Sequence, residues 1–282
     1  MNLEALEQLE LLPIEHAYTV RDTMLYALGL GYGTDPVDAR QLRHVYEDGL
    51  EALPSMSVVL AHPGFWLKDP KFGVQWQKIL HGEQTFQVHR PLPAEGRVRG
   101  TYRVGAVEDR GEKGAVLHQE KELHDAATGD HLASVRTVLM LRSDGGQGGF
   151  GPAPDPLPAL PERTADHVVD LPIPANTALI YRLSGDYNPI HADPQLARQA
   201  GFDRPILQGL CSMGFACRAV ADLLPEGNRL VGMDVRFSRP VYPGETLRFE
   251  VFEDDVGMSF RGRVVERDIL VLDRGRVRLG AG

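Results

Sequence analysis

Asp186, Asn188 and His191 fall within one short stretch, Ser184-Gly185-Asp186-Tyr187-Asn188-Pro189-Ile190-His191, which continues into Ala192-Asp193-Pro194. A carboxylate, an amide and an imidazole so close together can accept, orient and return a proton. Proline excludes the helical conformation for its predecessor and offers no N–H, so this segment cannot simply continue a helix. The spacing predicts a sharp, non-repetitive turn that aims the polar side chains at one point. The same residues also fit an Asx-turn, with Asp186 or Asn188 satisfying local backbone and His191 merely exposed. A metal held by Asp186, Asn188, His191 and Asp193 is not expected, since no second cluster with ligand spacing accompanies them.

A helix is expected from Gly209 to Leu224, stopped by Pro225. Its first N–H groups lack partners and carry partial positive charge, and glycine permits close approach of a ligand oxygen. If that helix start faces the Asp186–His191 turn, the site holds a proton acceptor, a proton donor and an oxyanion donor. Such a set suits proton transfer next to a thioester carbonyl. Neither a Gly-x-Ser-x-Gly elbow nor a P-loop is present to support other chemistries.

The elements that must hold these groups read as follows. Asn176 caps a helix through Leu183, which Gly185 ends. The helix from Gly209 is apolar nearly all round (Leu210, Met213, Phe215, Ala219, Leu223) and should be buried. Val231, Met233, Val235 and Phe237 alternate with other residues, as do Leu247, Phe249 and Val251, and both runs read as strands. A buried helix followed by antiparallel strands suggests an α+β unit in which a sheet wraps round that helix.

The chain carries this unit twice. Thr23 to Tyr32 can be laid on Ala178 to Tyr187 by matching Tyr26 to Tyr181, and Val88-His89-Arg90-Pro91 later matches Phe237-Ser238-Arg239-Pro240. Under that match Gly31, Gly33 and Pro36 replace Asp186, Asn188 and His191, so any chemistry belongs to the second half. Residues 144–170 are rich in glycine and then proline, which reads as a linker between an N-terminal unit, 1–143, and a C-terminal unit, 171–282. The first-half counterpart of the buried helix, Leu53 to Gly64, has prolines near both ends and is too short to match it. The apolar volume left over could receive a long acyl chain or be closed by ordinary side chains; the sequence permits both.

Composition narrows the class. With 282 residues, 43% hydrophobic and 24% charged, the chain reads as a soluble globular protein of one large or two ordinary domains. A net charge of −9 argues against a general nucleic-acid binder, although the excess of arginine over lysine suits local phosphate contacts. Cys211 and Cys217 read as small buried thiols in a reducing compartment. No signal peptide, membrane span or peroxisomal tripeptide is visible, so a cytoplasmic location without membrane contact is expected.

Tyr181 through His191, then Ala200-Gly201-Phe202, Pro205-Ile206-Leu207 and Gly209-Leu210-Cys211, resemble the hydratase 2 motif of the MaoC-like (R)-specific enoyl-CoA hydratases. The similarity continues from Arg236 to Leu247. Leu80-His81-Gly82-Glu83-Gln84 and Arg90-Pro91-Leu92-Pro93 resemble the two-domain form found in peroxisomal multifunctional enzyme type 2. The resemblance implies a double hot-dog fold whose first repeat has a reduced or lost central helix and binds the acyl chain. It implies reversible addition of water to a trans-2-enoyl-CoA, giving the (3R)-3-hydroxyacyl-CoA, with the coenzyme A thioester as substrate and no cofactor. By motif position Asp186 and His191 form the water-holding acid/base pair, Asn188 orients the pair or the water, and the Gly209 N–H polarises the thioester carbonyl. Substrate contacts are implied for His81, Gly82, Arg110 and Phe237, and for Tyr187, Pro189 and Ile190 within the motif. Plainer readings are a turn at His81-Gly82, an exposed loop at Arg110 and sheet core at Phe237. Gln208 departs from the family, which usually has histidine there. A dehydratase acting on acyl-carrier-protein thioesters is the nearest alternative, followed by a non-catalytic acyl-thioester binding module. A homodimer is expected, since hot-dog proteins commonly dimerise.

Overall fold

The computed structural model describes residues 1–9, 11–224, 227–254 and 257–281. The first half runs Leu3–Glu7 (α1), Ile14–Tyr18 (β1), Val20–Gly29 (α2), Ala39–Leu42 (α3), Ile79–Val88 (β2), Gly96–Asp109 (β3), Ala115–Asp125 (β4) and His131–Leu141 (β5). The second runs His167–Pro172 (β6), Thr177–Tyr181 (α4), Pro194–Gln199 (α5), Gly209–Ala221 (α6), Asn228–Phe237 (β7), Thr246–Asp254 (β8), Gly257–Val264 (β9) and Ile269–Ala281 (β10).

The strands make one sheet in the order β1-β3-β4-β5-β2-β7-β10-β9-β8-β6, with every neighbouring pair antiparallel. Renaming β6 to β10 as β1 to β5 makes that order read the same from either edge, which is the signature of a duplicated unit. The copies join where β2 pairs β7, from Glu83 opposite Arg236 to Gln87 opposite Gly232. Arg278 on β10 fastens the seam: it pairs with Asp234, and it donates to Gln87 Oε1 and to the Phe86 carbonyl, each at 2.7 Å. Tyr26 and Tyr181, the residues matched between the repeats, meet with ring centroids 5.7 Å apart. The molecule is a double hot-dog.

The two repeats differ in what fills the sheet. In the second, α6 is buried along nearly its whole length, from Cys211 to Val220, and packs against β6, β7 and β8. It ends at Ala221, earlier than the expected Leu224, and the expected stop at Pro225 lies outside the described residues. In the first, the matching segment makes only a 3-10 turn, Pro54–Val58, before running on irregularly. Met56, Val58 and Leu60 join the core, so ordinary side chains close part of the space that a full helix would fill.

A shortened helix leaves carbonyls in the interior without partners. Here Lys121 on β4 supplies them, donating to the carbonyls of Ser57, Val58 and Leu60 at 2.7, 3.2 and 2.8 Å. Burial pushes its ammonium down to about 7.

Three local expectations are corrected. Asn176 stands at the start of α4 but its side chain makes no capping bond, and the helix gives way after Tyr181 to a 3-10 turn over Arg182–Ser184. Gly185, at φ 120°, ends that turn as anticipated, in a conformation that only glycine adopts readily. The glycine-rich start of the 144–170 segment is fastened, not loose: Phe150 exchanges backbone hydrogen bonds with Val107, and Asp109 accepts the Gly146 and Gly148 N–H groups at 2.7 Å. A Cβ on Gly149 or Gly151 would lie 2.1 Å from the Val107 oxygen or 2.2 Å from the Gly105 oxygen. Glycine serves close backbone approach there, and the segment's last residues already belong to β6.

Candidate active site

The Asp186 turn aims its groups by making both Asx-turns at once. The Asn188 N–H donates to Asp186 Oδ1 at 3.2 Å, and the Ile190 N–H donates to Asn188 Oδ1 at 3.2 Å. The second bond caps a 3-10 turn over Pro189–His191, so Asn188 positions His191 through the backbone. The plain Asx-turn reading and the functional one are therefore compatible, except that His191 is buried, with 8% of its surface exposed.

His191 Nδ1 lies 2.8 Å from the Ile206 carbonyl oxygen. A carbonyl only accepts, so Nδ1 carries the hydrogen and the neutral ring presents a lone pair at Nε2. That nitrogen stands 3.6 Å from Asp186 Oδ2, too far for a direct hydrogen bond. Burial lowers the pKa of His191, against an upward pull from the Asp186 charge. Two proton acceptors thus face each other across a gap that one water molecule, donating to both, would bridge.

Gly209 opens α6 three residues beyond the Ile206 carbonyl that holds His191. Gln208, its N-cap, forms no side-chain cap; its Nε2 instead donates to the Ala178 carbonyl at 3.1 Å, and its Oε1 is buried without a partner. Among the described residues nothing accepts from the Gly209 N–H. The Phe237 ring stands directly above this glycine, 3.4 Å from where a Cβ would be. Against Phe237 packs His81, ring centroids 4.7 Å apart. Gly82 is the extra residue of a β-bulge between β2 and β5, a device that turns a neighbouring side chain out of register. Burial drives His81 down to about 4, Asp186 opposes that shift, and its Nε2 is buried without a partner. Asp186 and His191 thus face each other, Phe237 covers Gly209 and packs on His81, and the Asp186 charge is felt at His81.

Other expected residues lie apart from that chain of contacts. Tyr187 is 58% exposed, with the Arg182 guanidinium 5.0 Å above its ring. Pro189 is exposed, and Ile190 is half-buried with its carbonyl accepting from Ile206 N–H. Arg110 lies at the β3–β4 turn, where it pairs with Glu108; among the described residues no contact ties it to Asp186 or His191.

His62 was not singled out from sequence. It accepts the Gly64 N–H at Nδ1 (3.0 Å), so Nε2 carries the hydrogen. Although the residue is exposed, desolvation by the surrounding chain lowers its pKa, Lys121 adds to that, and Asp186 pulls the other way. It lines an open cleft of about 200 Å³ with Val59, Ala61 and Gly64, with Ile14, Glu15 and His16 of β1, and with Ser184 and Gly185. His62 escaped notice because His62-Pro63-Gly64 reads as a chain turn.

A two-repeat hot-dog with an Asp-x-Asn-Pro-x-His turn in only its second copy is a recognisable class. Residues 157–274 match the MaoC like domain, and residues 16–143 match the MFE-2 hydratase 2 N-terminal domain. The chain belongs to the MaoC-like family, in the form that carries this N-terminal domain. It is 38% identical over 255 residues to enoyl-CoA hydratase ChsH3 of Mycobacterium tuberculosis, covering 87% of each. It is also 38% identical over 282 residues to 3-hydroxyacyl-thioester dehydratase Y of the same organism, covering 96% of each. Among solved structures, a MaoC-like dehydratase from Phytophthora capsici superposes with a TM-score of 0.88 at 30% identity, over 100% of both chains.

Proposed function

We propose that this protein is an (R)-specific 2-enoyl-CoA hydratase, a hydro-lyase that adds water reversibly to trans-2-enoyl-CoA to give (3R)-3-hydroxyacyl-CoA. The observation that carries the reading is the 3.6 Å gap between Asp186 Oδ2 and His191 Nε2, with the far side of the imidazole held by Ile206. A water seated to one side of the pair, within hydrogen-bond reach of both groups, forms a bond from its oxygen to C3 as the C2=C3 π bond opens. One of its protons passes to the Asp186–His191 pair, and the pair delivers a proton to C2. The Gly209 N–H at the start of α6 takes the negative charge that builds on the thioester oxygen. Addition of water is redox-neutral and both proton carriers are side chains, so the proposal includes no metal and no redox cofactor.

His81, Gly82 and Phe237 border the thioester, and the N-terminal repeat receives the acyl chain through the cleft beside Gly185. Tyr187, Pro189, Ile190 and Arg110 are assigned to the substrate's periphery. The finer expectations, a homodimer in the cytoplasm without membrane or nucleic-acid contact, belong to the same proposal. No described helix is long and apolar enough to cross a membrane, and the two cysteines are unpaired and buried.

Dehydration of a 3-hydroxyacyl thioester is the same step run backwards, and the 38% identical relative named 3-hydroxyacyl-thioester dehydratase Y favours keeping that direction in view. The test is hydration of crotonyl-CoA and of a longer enoyl-CoA, followed by chiral analysis of the product. Turnover and the 3R product are expected. Turnover only on carrier-protein thioesters would favour the dehydratase, and tight binding without turnover would favour a binding module.

A further inference from the structure

Lys121 is 3% exposed, and among the described residues no carboxylate pairs with it. A buried cation without a counter-charge is costly, so its surroundings must repay it with hydrogen bonds. All three of its N–H donors are used, on the carbonyls of Ser57, Val58 and Leu60. The next residue, Ala61, adopts a left-handed backbone at φ 50°, unfavourable for alanine unless its surroundings hold it. Both its backbone polar groups are held: the N–H donates to His16 Nδ1 at 2.9 Å, and the carbonyl accepts from the Tyr102 hydroxyl. Gly100 leaves room for it, since a Cβ there would lie 2.9 Å from the Ala61 Cβ. Strands β1, β3 and β4 thus each contribute to fixing the segment that replaces the missing helix.

That segment supplies Val59, Ala61, His62 and Gly64 as one wall of the cleft beside Gly185, next to His16 and its neighbours Ile14 and Glu15. We propose that Lys121, Tyr102 and His16 form a clamp that positions this wall and so determines which acyl chains the cleft accepts, with Lys121 as its principal positioning residue. The inference rests on the acyl-thioester reading above but concerns binding, so it can be tested without turnover. A lysine that merely fills space would be replaced well by methionine, which keeps the stem and loses the donors.

The experiment measures, by calorimetry on the full chain, the affinities of butyryl-CoA and decanoyl-CoA for the wild type and for Lys121→Met. The clamp predicts that the preference for decanoyl-CoA over butyryl-CoA falls at least about tenfold. An unchanged preference, whether both affinities hold or both drop alike, overturns it, as does failure of the wild type to bind either thioester. If Lys121→Met does not fold, Tyr102→Phe decides: removal of one hydroxyl should shift the preference in the same direction by at least about threefold, and no shift overturns the clamp. Crotonyl-CoA hydration by the wild type runs alongside. An inert wild type whose chain-length preference still responds to the variants sinks the hydratase reading alone; an active one with an unmoved preference sinks the clamp alone.

Discussion

In the proposed reaction His191 takes a proton from water, which requires a free Nε2 lone pair, and two features keep it free. The Ile206 carbonyl claims the hydrogen on Nδ1, and burial holds the ring's pKa below its ordinary 6.5. The acid limb of kcat/KM for crotonyl-CoA should therefore fall below pH 6.5, and a limb above that value would contradict the assignment. Stability follows the same sign. The unfolded chain binds the proton more readily, so the contribution of neutral His191 is present above about pH 6.5 and is lost as pH drops through the lowered folded-state value. Replacing Asp186 by asparagine removes the charge that partly offsets burial, so the His191 titration followed by NMR should move further down; an upward move would refute the coupling. At this scale the sequence was most legible where residues act through neighbours in the chain, as in the Asp186–His191 turn. It was least legible at His62, whose sequence neighbours read as a turn, and at Lys121, whose partners lie about sixty residues away in the chain. Lys121 did leave a trace: it shares its parity on β4 with the buried Leu117, Gln119 and Leu123. A charged residue at an inward position calls for a buried partner.

At the scale of elements, the proposed mechanism assigns the oxyanion role to the start of α6. Proline is tolerated at the first position of a helix but has no N–H to give. Gly209→Pro should keep the circular dichroism of the wild type and lose roughly 3–4 kcal/mol of transition-state stabilisation, about 10²–10³ in kcat. Gly209→Ala is the matched control, because its Cβ would meet Phe237 at 3.4 Å and the N–H survives. Equal activity in the proline variant would remove the backbone donor from the account. The apolar face and glycine start of α6 were readable from residue pattern alone, whereas its end at Ala221 and the failure of Asn176 to cap α4 were not. Helix ends depend on what the flanking side chains meet in space, and Gln208, the actual N-cap of α6, spends its amide on Ala178 instead.

For the molecule as a whole, the duplication has an energetic consequence. The sheet is continuous across β2 and β7, and Arg218 of α6 reaches the first repeat, donating to the Leu30 carbonyl at 3.3 Å and to Thr34 Oγ1 at 3.0 Å. Neither repeat keeps its edge or its core without the other, so thermal unfolding should be one cooperative transition, with coincident far-UV and near-UV changes. Two separated transitions would show that the repeats are independent. The order of the sheet was implicit in the faint Tyr26–Tyr181 match, which structure turns into a ring contact. The fastened glycine segment was not foreseeable, because close backbone approach and flexibility call for the same residue.

The claim at the centre is that Asp186 and His191 act on one water as a unit. The most direct test is the kcat of crotonyl-CoA hydration for the wild type, Asp186→Asn, His191→Gln and the double variant. General acid–base groups typically contribute about 10²–10⁴, and residues acting together are strongly non-additive. We expect each single change to remove most of the rate and the double change to cost little more. Losses that multiply, or a single variant that turns over near the wild-type rate, would contradict the shared water.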